Sequence, residues 1–506
     1  MTYEQARKFI EQTTKFGSVL GLVSMNALME QLGNVQNTIP TIHIAGTNGK
    51  GSVGAYLASI LKEAGLKVGR YCSPAVFHPL ECWQYDGRMI TEEEYAMIMS
   101  QVKEACDIVV SKGIQPTVFE VETAAAFLYF SKMPTDILLL ETGLGGETDA
   151  TNVVKQPLAC VFTNISRDHM QFLGETLAEI ATVKAGIIKA GAKVFSAKQQ
   201  PEVEDVLKKY YYINHLYFRD AQSSMEESML EKNCFIKKQV EEESTNQGCF
   251  YKKYDEWSDF EKQSIIEEKQ KEIKFVDEEK LYLISQTAGE LIFSYKGIEY
   301  TTQLSGIYQM KNAALAIEVA EEILDVFWNA NEKKQTLENK IKDIQQNANK
   351  ADIWNENAGM IQNGIKNAFW PGRFEVLTKE PVCIIDGAHN EDAACMLFRT
   401  LENCFTKSSL IYIIGVLADK EHKRMLEIMR DYAQKVYTIT PPNTRALEAK
   451  VLAEEAKEFY SDVTACESIK QAVTEAFSYA KEQKKAILAF GSLSYLSKLR
   501  DIVSSL

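Results

Sequence analysis

"TIHIAGTNGKGSVGAYLASIL", Thr41 to Leu61, is the stretch on which the reading of the chain turns. "TIHIA" reads as a strand and "SVGAYLASILKEAG" as a helix, with a glycine-rich turn between them. Such a junction suits phosphate, because glycines let backbone N–H groups turn inward and the helix N-terminus adds partial positive charge. The strict phosphate-loop pattern G-x-x-x-x-G-K-[ST] is nevertheless not met. Gly49 and Lys50 fit it, but Ile44 takes the place of the first glycine and Gly51 stands before Ser52. Gly46, Gly49 and Gly51 together with Lys50 and Ser52 still favour a nucleotide site over a bare turn. Lys50 can reach β- and γ-phosphates, and the Ser52 hydroxyl can bind Mg²⁺. The extra glycine sets the loop apart from that of a GTPase or helicase.

Outward from this loop, short β-branched runs alternate with helical patterns, the mark of an α/β protein with a mostly parallel sheet. "TIHIAG", "KVGRYCS", "DILLLETG", "LACVFTNI" and "AKVFSA" read as strands, and residues 52–64, 92–112, 120–131 and 176–190 as helices. Two polar stretches, about 226–280 and 329–363, break the rhythm and read as solvated helices or loops added to a core. After "FWPGRFEVL" a second α/β series starts with "VCIIDGAHN", "LIYIIGVL", "KVYTITPP" and "KAILAFGSLS". Pro371-Gly372 is turn chemistry. The expectation is a large N-terminal phosphate-loop domain over 1–368, a hinge at 369–374, and a smaller Rossmann-like α/β domain over 375–506.

Composition narrows the partners. Apolar residues make up 45% and charged residues 25% of the 506, the balance of a soluble globular chain. A net charge of −14 argues against nucleic acid, whose phosphates demand a basic surface. No signal-peptide core opens the chain and no long uncharged apolar run occurs, so neither export nor a membrane span is expected. The 10 cysteines include no C-x-x-C pair, which suits free thiols in a reducing cytoplasm.

Further motifs add charge near the loop. "DILLLETGLGGETDATNVV" carries an apolar strand to Glu141 and then a glycine-rich turn with Asp149 and Asn152. A carboxylate at a strand's carboxyl end is placed to hold a cation against nucleotide phosphates. "FTNISRDHMQFLGETLAEIATVKAGIIKAG" ends a strand with Asp168-His169 and follows with a helix containing Lys184.

Taken in order, "GTNGKGS", "SP", "TVFE", "ETGLGGETDATN", "ISRDHMQFLGETLAEIATVKAGIIK", "YQMKNAALA", "WPGRFE", "DGAHN" and "GVLADKE" resemble the ATP-dependent Mur ligase superfamily. Within it, the chain is similar to the bacterial folylpolyglutamate synthase/dihydrofolate synthase family, over roughly residues 16–200 and 300–500. The resemblance implies a Mur-ligase-type P-loop ATPase domain and an amide ligase working through an acyl phosphate. Its substrates would be ATP, L-glutamate and folate, with dihydropteroate left open, and it would act as a cytoplasmic monomer. Carried over by position, Thr47, Asn48, Gly49, Lys50, Gly51 and Ser52 form the ATP loop. Asn312, Arg373, Asp386 and His389 complete the nucleotide contacts. Ser52, Ser73 and Glu141 match ligands of one Mg²⁺. His169 matches a ligand of a second, and Lys184 falls on a carbamylated lysine that helps to hold it. Lys50, His169, Lys184 and Arg373 carry the catalytic roles. Thr117, Phe119, Glu120, Thr148, Asp149, Ala150 and part of "GSVLGLVSM" from Gly17 stand where pteroate contacts are expected.

The chain departs from the family's usual pattern at Ala75, where a histidine is common, at Glu147, where an arginine often sits, and at Val183, where a glutamate precedes the modified lysine. No proposed metal or phosphate ligand is lost. Two alternatives remain at this point: a Mur-type ligase acting on another carboxylate, and a non-catalytic nucleotide-binding relative.

Overall fold

The structure, a computed structural model, describes residues 1–13, 21–223, 273–339 and 350–506. Its largest sheet has eight strands: β1 (Thr41–Ala45), β2 (Val68–Tyr71), β3 (Trp83–Tyr85), β4 (Arg88–Met89), β5 (Ile137–Glu141), β6 (Ala159–Phe162), β7 (Lys193–Ser196) and β8 (Lys274–Phe275). They lie in the order β4-β3-β2-β5-β1-β6-β7-β8. The β2–β3 and β3–β4 pairs are antiparallel and the rest parallel.

The central strands are apolar without alternation because both faces are covered. Every residue of β1, β5 and β6 is buried. Ile137 and Leu139 face one core, with the helices Lys50–Glu63, Gln309–Asn339 and Lys350–Asn367. Leu138 and Leu140 face the other, with the helices Glu92–Ser111 and Val118–Lys132. The chain leaves β1 towards β2 on one side and β6 towards β7 on the other. The carboxyl ends of β1 and β6 therefore flank the crevice where an open α/β sheet takes its ligand.

A second sheet, β9 (Leu281–Thr287), β10 (Glu290–Tyr295) and β11 (Ile298–Thr302), is an antiparallel meander. The sequence reading left it unassigned, although the signal was there. Alternate residues Leu291, Phe293 and Tyr295 are buried, and the β10–β11 turn places Lys296 and Gly297 at φ 52° and 79°. A third sheet runs β12-β13-β17-β14-β15-β16, formed by β12 (Glu375–Lys379), β13 (Val382–Ile385), β14 (Leu410–Ile414), β15 (Ala433–Thr438), β16 (Val463–Ala465) and β17 (Ala486–Phe490). Only its β12–β13 pair is antiparallel. Apolar cores cover both its faces.

The two polar stretches lie partly outside the described residues, at 224–272 and 340–349. Their described ends are mixed: Glu279, Lys280, Gln362 and Asn363 are exposed, while a few apolar residues join the cores. Ile273 and Val276 are buried beside β8, and Ile361 joins the core under the Lys50–Glu63 helix. Gly364, just beyond the second stretch, allows that contact, since a Cβ there would stand 2.4 Å from Ile60 Cα. Among the described residues no helix is long and apolar enough to cross a membrane, and the eight cysteines are free thiols.

Candidate active site

The Lys50–Glu63 helix starts from Gly49, whose φ of 97° is left-handed and free of strain only for glycine. A Cβ there would also stand 2.5 Å from Asn312 Oδ1. Asn312 donates to Gln309 Oε1 at 2.9 Å, and Gln309 Nε2 donates to the buried Ser52 hydroxyl at 3.2 Å. The Gly46 carbonyl accepts from both Lys50 Nζ (3.1 Å) and Lys184 Nζ (2.9 Å).

Gly51, the residue that spoils the strict motif, has a packing reason. A Cβ on it would come within 2.7 Å of the Trp370 indole nitrogen. Above the same indole, 3.9 Å from the ring centroid, lies the Arg70 guanidinium, which donates to the Gly51 carbonyl at 2.6 Å. Arg70 and Trp370 are both buried. The stack ties the segment leading to Arg373 directly onto the phosphate loop. Sequence reasoning quoted Trp370 but missed Arg70, which sits in β2 with no local motif to mark it.

Glu141 ends β5 beside β1, with Ile44 as its register partner. It is buried, and among the described residues no group donates a hydrogen bond to it; Lys50 Nζ stands 4.0 Å away. Burial raises its pKa, and Lys50, Arg70 and Arg373 oppose that rise. Lys184, near the end of the Leu177–Ala185 helix, is also buried, and burial followed by repulsion from Lys50 brings its pKa down to about 7. His169 occupies left-handed backbone at φ 50° and exposes about half its side chain. Desolvation, only partly offset by Asp168, lowers its pKa.

From the other side come the residues after Trp370. The Arg373 guanidinium runs across Gly387, where a Cβ would be 2.0 Å from Nη1. Asp386 is largely engaged by protein: Oδ2 accepts from the Tyr308 hydroxyl (2.6 Å) and Phe374 N (2.8 Å), and Oδ1 from Ala388 N (2.8 Å). His389 is held uncharged, its pKa pushed down to about 4 chiefly by burial. Its Nδ1 therefore donates to the Gly387 carbonyl at 2.7 Å and leaves Nε2 as an acceptor.

A polar latch joins the two halves. Asp392 Oδ2 accepts from Asn48 Nδ2 (2.9 Å) and Asn164 Nδ2 (2.7 Å), and Lys420 Nζ donates to Asp168 Oδ1 at 2.6 Å. The pKa of Asp168 is lowered: burial would raise it, but the Lys420 contact outweighs that effect. None of Asp392, Asn164 or Lys420 was singled out from sequence, because their partners lie more than two hundred residues away.

The other expected residues line the far end of the same space. Thr117 and Glu120 form a capping box on the Val118–Lys132 helix: Thr117 N donates to Glu120 Oε2 at 2.7 Å, and Ser24 donates to Oε1. The Phe119 ring rests on Gly143, where a Cβ would be 2.4 Å from it. Asp149 is engaged too, accepting from Leu144 N (2.7 Å) and from Thr151 N and Oγ1 (3.0 and 2.5 Å). Thr148 is exposed and Ala150 buried on the same turn. Of "GSVLGLVSM", Gly17 to Leu20 lie outside the described residues, while Gly21 borders the space. The site residues named from sequence, from the loop through Ser73 and Glu141 to His389, border one cavity of about 960 Å³ between the first and third sheets. Ala75 borders it as well. Glu147 is exposed, and Val183 is partly buried with its carbonyl accepting from Glu147 N at 2.8 Å.

Residues 44–196 match the Mur ligase middle domain, and residues 372–493 match the glutamate ligase domain of Mur ligases. A dihydrofolate synthase/folylpolyglutamate synthase of Bacillus subtilis is 32% identical over 502 residues, covering 98% of each chain. The chain belongs to this family. The folylpolyglutamate synthase of Lacticaseibacillus casei is 26% identical over 507 residues, covering 99% of this chain and 98% of its own. In fold, the chain is similar to Mycobacterium tuberculosis folylpolyglutamate synthase complexed with ADP and AMPPCP, with a TM-score of 0.73, 24% identity and 99% coverage of both chains. The matched middle domain contains the glycine-rich loop that misses the strict motif. Gly51 is its variant element, accommodated against Trp370.

Proposed function

We propose that the chain is an ATP-dependent ligase that joins L-glutamate to the carboxylate of a folate, and also to dihydropteroate. The carrying observation is the convergence on one cavity of the phosphate loop, the carboxylate of Glu141, which accepts no hydrogen bond among the described residues and has Lys50 Nζ 4.0 Å away, and the guanidinium of Arg373, in a chain matched end to end by a dihydrofolate synthase/folylpolyglutamate synthase. In this reading residues 1–368 and 375–506 are two domains hinged at 369–374, and the protein works as a cytoplasmic monomer.

A carboxylate is a poor electrophile, so the reaction needs phosphoryl transfer first. A carboxylate oxygen bonds to the γ-phosphorus as the β–γ bridging P–O bond breaks and ADP leaves. The glutamate amine then adds to the acyl carbon and loses a proton, and inorganic phosphate departs. Lys50 neutralises the transferring phosphate, and Arg373 meets it from the opposite side, an arrangement that stabilises developing charge. Uncharged His389, with Nε2 as an acceptor, can take an amine N–H.

The residues present fit Mg²⁺. Glu141 is a buried carboxylate that receives no hydrogen bond among the described residues, and two hydroxyls plus one carboxylate suit a cation that shares its shell with phosphates. Ser52, Ser73 and Glu141 would hold one ion. His169 and Lys184 would hold a second only if Lys184 is carbamylated, because an amine that donates to Gly46 offers a cation nothing. Carbamylation needs the neutral amine, which a pKa of about 7 supplies. Bound Mg²⁺ supplies charge neutralisation between the two anionic reactants.

The deciding experiment measures phosphate release with ATP, L-glutamate and either tetrahydrofolate or dihydropteroate. Joint dependence on glutamate and the pterin substrate is expected. Release that ignores the pterin substrate, or occurs only with another carboxylate such as a cell-wall precursor, would overturn the reading.

A further inference from the structure

Three carboxylates stand near the apolar end of the cavity, and two of them are spoken for. Glu120 closes the capping box and accepts from Ser24. Asp149 organises its turn through Leu144 and Thr151. The third, Glu122, borders the cavity yet makes no hydrogen bond or ion pair with any described residue. It is partly buried at the cavity wall. Its charge is felt by the buried hydroxyls of Tyr71 and Tyr95 and by the thiol of Cys82, and burial pushes its own pKa up to about 7 against the weaker pull of Arg7. A partly desolvated carboxylate without a partner among the described residues is unfavourable unless something else satisfies it. Phe119, one turn earlier on the same helix, presents an aromatic ring beside the same space, stacked on Tyr71 at 6.4 Å between centroids.

A carboxylate beside an aromatic face complements a flat ligand with two N–H donors side by side on one edge. The 2-amino-4-oxopteridine ring has such an edge in its 2-amino group and N3–H. Resting on the proposed folate activity, we infer that Glu122 is a specificity-determining residue that accepts the 2-amino and N3–H edge of the substrate's pteridine.

The test compares kcat/KM for tetrahydrofolate with that for its 2-desamino-2-methyl analogue, in the wild type, Glu122→Gln and Glu122→Leu. The wild type is expected to prefer the 2-amino substrate by at least about tenfold, the scale of one charge-assisted hydrogen bond. Glu122→Leu should reduce that preference to within about twofold, leaving KM for ATP and glutamate unchanged, with Glu122→Gln between the two. Leucine suits the apolar surroundings, and glutamine keeps the shape of the side chain, so one of the two reports even if the other folds badly. A preference that is absent in the wild type, or intact in Glu122→Leu, overturns the inference. Failure of the wild type to glutamylate tetrahydrofolate at all would instead overturn the functional reading, and this inference with it.

Discussion

In the proposed reaction, Lys184 would carry the most consequential chemistry of any single side chain. Its pKa, brought to about 7 from 10.5, means that between those values the unfolded chain holds a proton that the folded chain does not. Folding stability therefore rises with pH across that window. In CO₂-free buffer, the denaturation midpoint of the wild type should climb from pH 7 towards 10 more steeply than that of Lys184→Met; parallel profiles would refute the assignment. If Lys184 is carbamylated in the working enzyme, the shrinking neutral fraction of the amine below about pH 7 should lower turnover there, and added bicarbonate should restore part of it by mass action. Lys184→Ala should lower kcat by about 10²–10³-fold, the scale of removing one preorganised charge partner, with little change in nucleotide affinity by calorimetry. Sequence alone did not reveal this environment. A lysine on a helix is ordinarily solvated, and only the fold shows Lys184 buried beside Lys50 on one carbonyl.

At the scale of elements, the strands were legible because a parallel sheet buried on both faces leaves continuous apolar runs. "TIHIA", "ILLLE" and "ACVF" are each buried throughout. The meander of β9 to β11 was less legible, since its faces alternate and its signal lies in the Lys296-Gly297 turn. Gly51 was visible as an oddity but not explained, because its partners Arg70 and Trp370 come from other elements. That packing can be tested by coupling. Gly51→Ala should destabilise by about 1–3 kcal/mol through overpacking. In the double variant with Trp370→Ala, the two losses should sum to at least ~0.5 kcal/mol more than is observed. Strict additivity in urea midpoints would show that the indole does not set the requirement.

Across the whole molecule, one cavity draws on both α/β halves, and so neither half forms it alone. Sequence order identified the parts, but not the latch of Asn48, Asn164 and Asp392, whose spacing along the chain leaves no local pattern. Asp392→Ala should weaken closure. We expect a larger radius of gyration in solution scattering with nucleotide bound, and a kcat lowered by about tenfold, as for loss of hydrogen bonds to a charged group. An unchanged radius together with an unchanged kcat would remove the latch from the catalytic cycle.

The composition of that latch has a consequence for turnover. Amide-to-carboxylate bonds give up water bonds when they form and regain them when they break, so their net free energy is small in either direction. An apolar seam of the same extent would expose oily surface at every opening. If the proposed ligase opens between additions, a polar latch of this kind, with the Lys420–Asp168 ion pair as its costliest contact, would expose groups that water can satisfy, and a product carrying one more negative charge could leave through the gap.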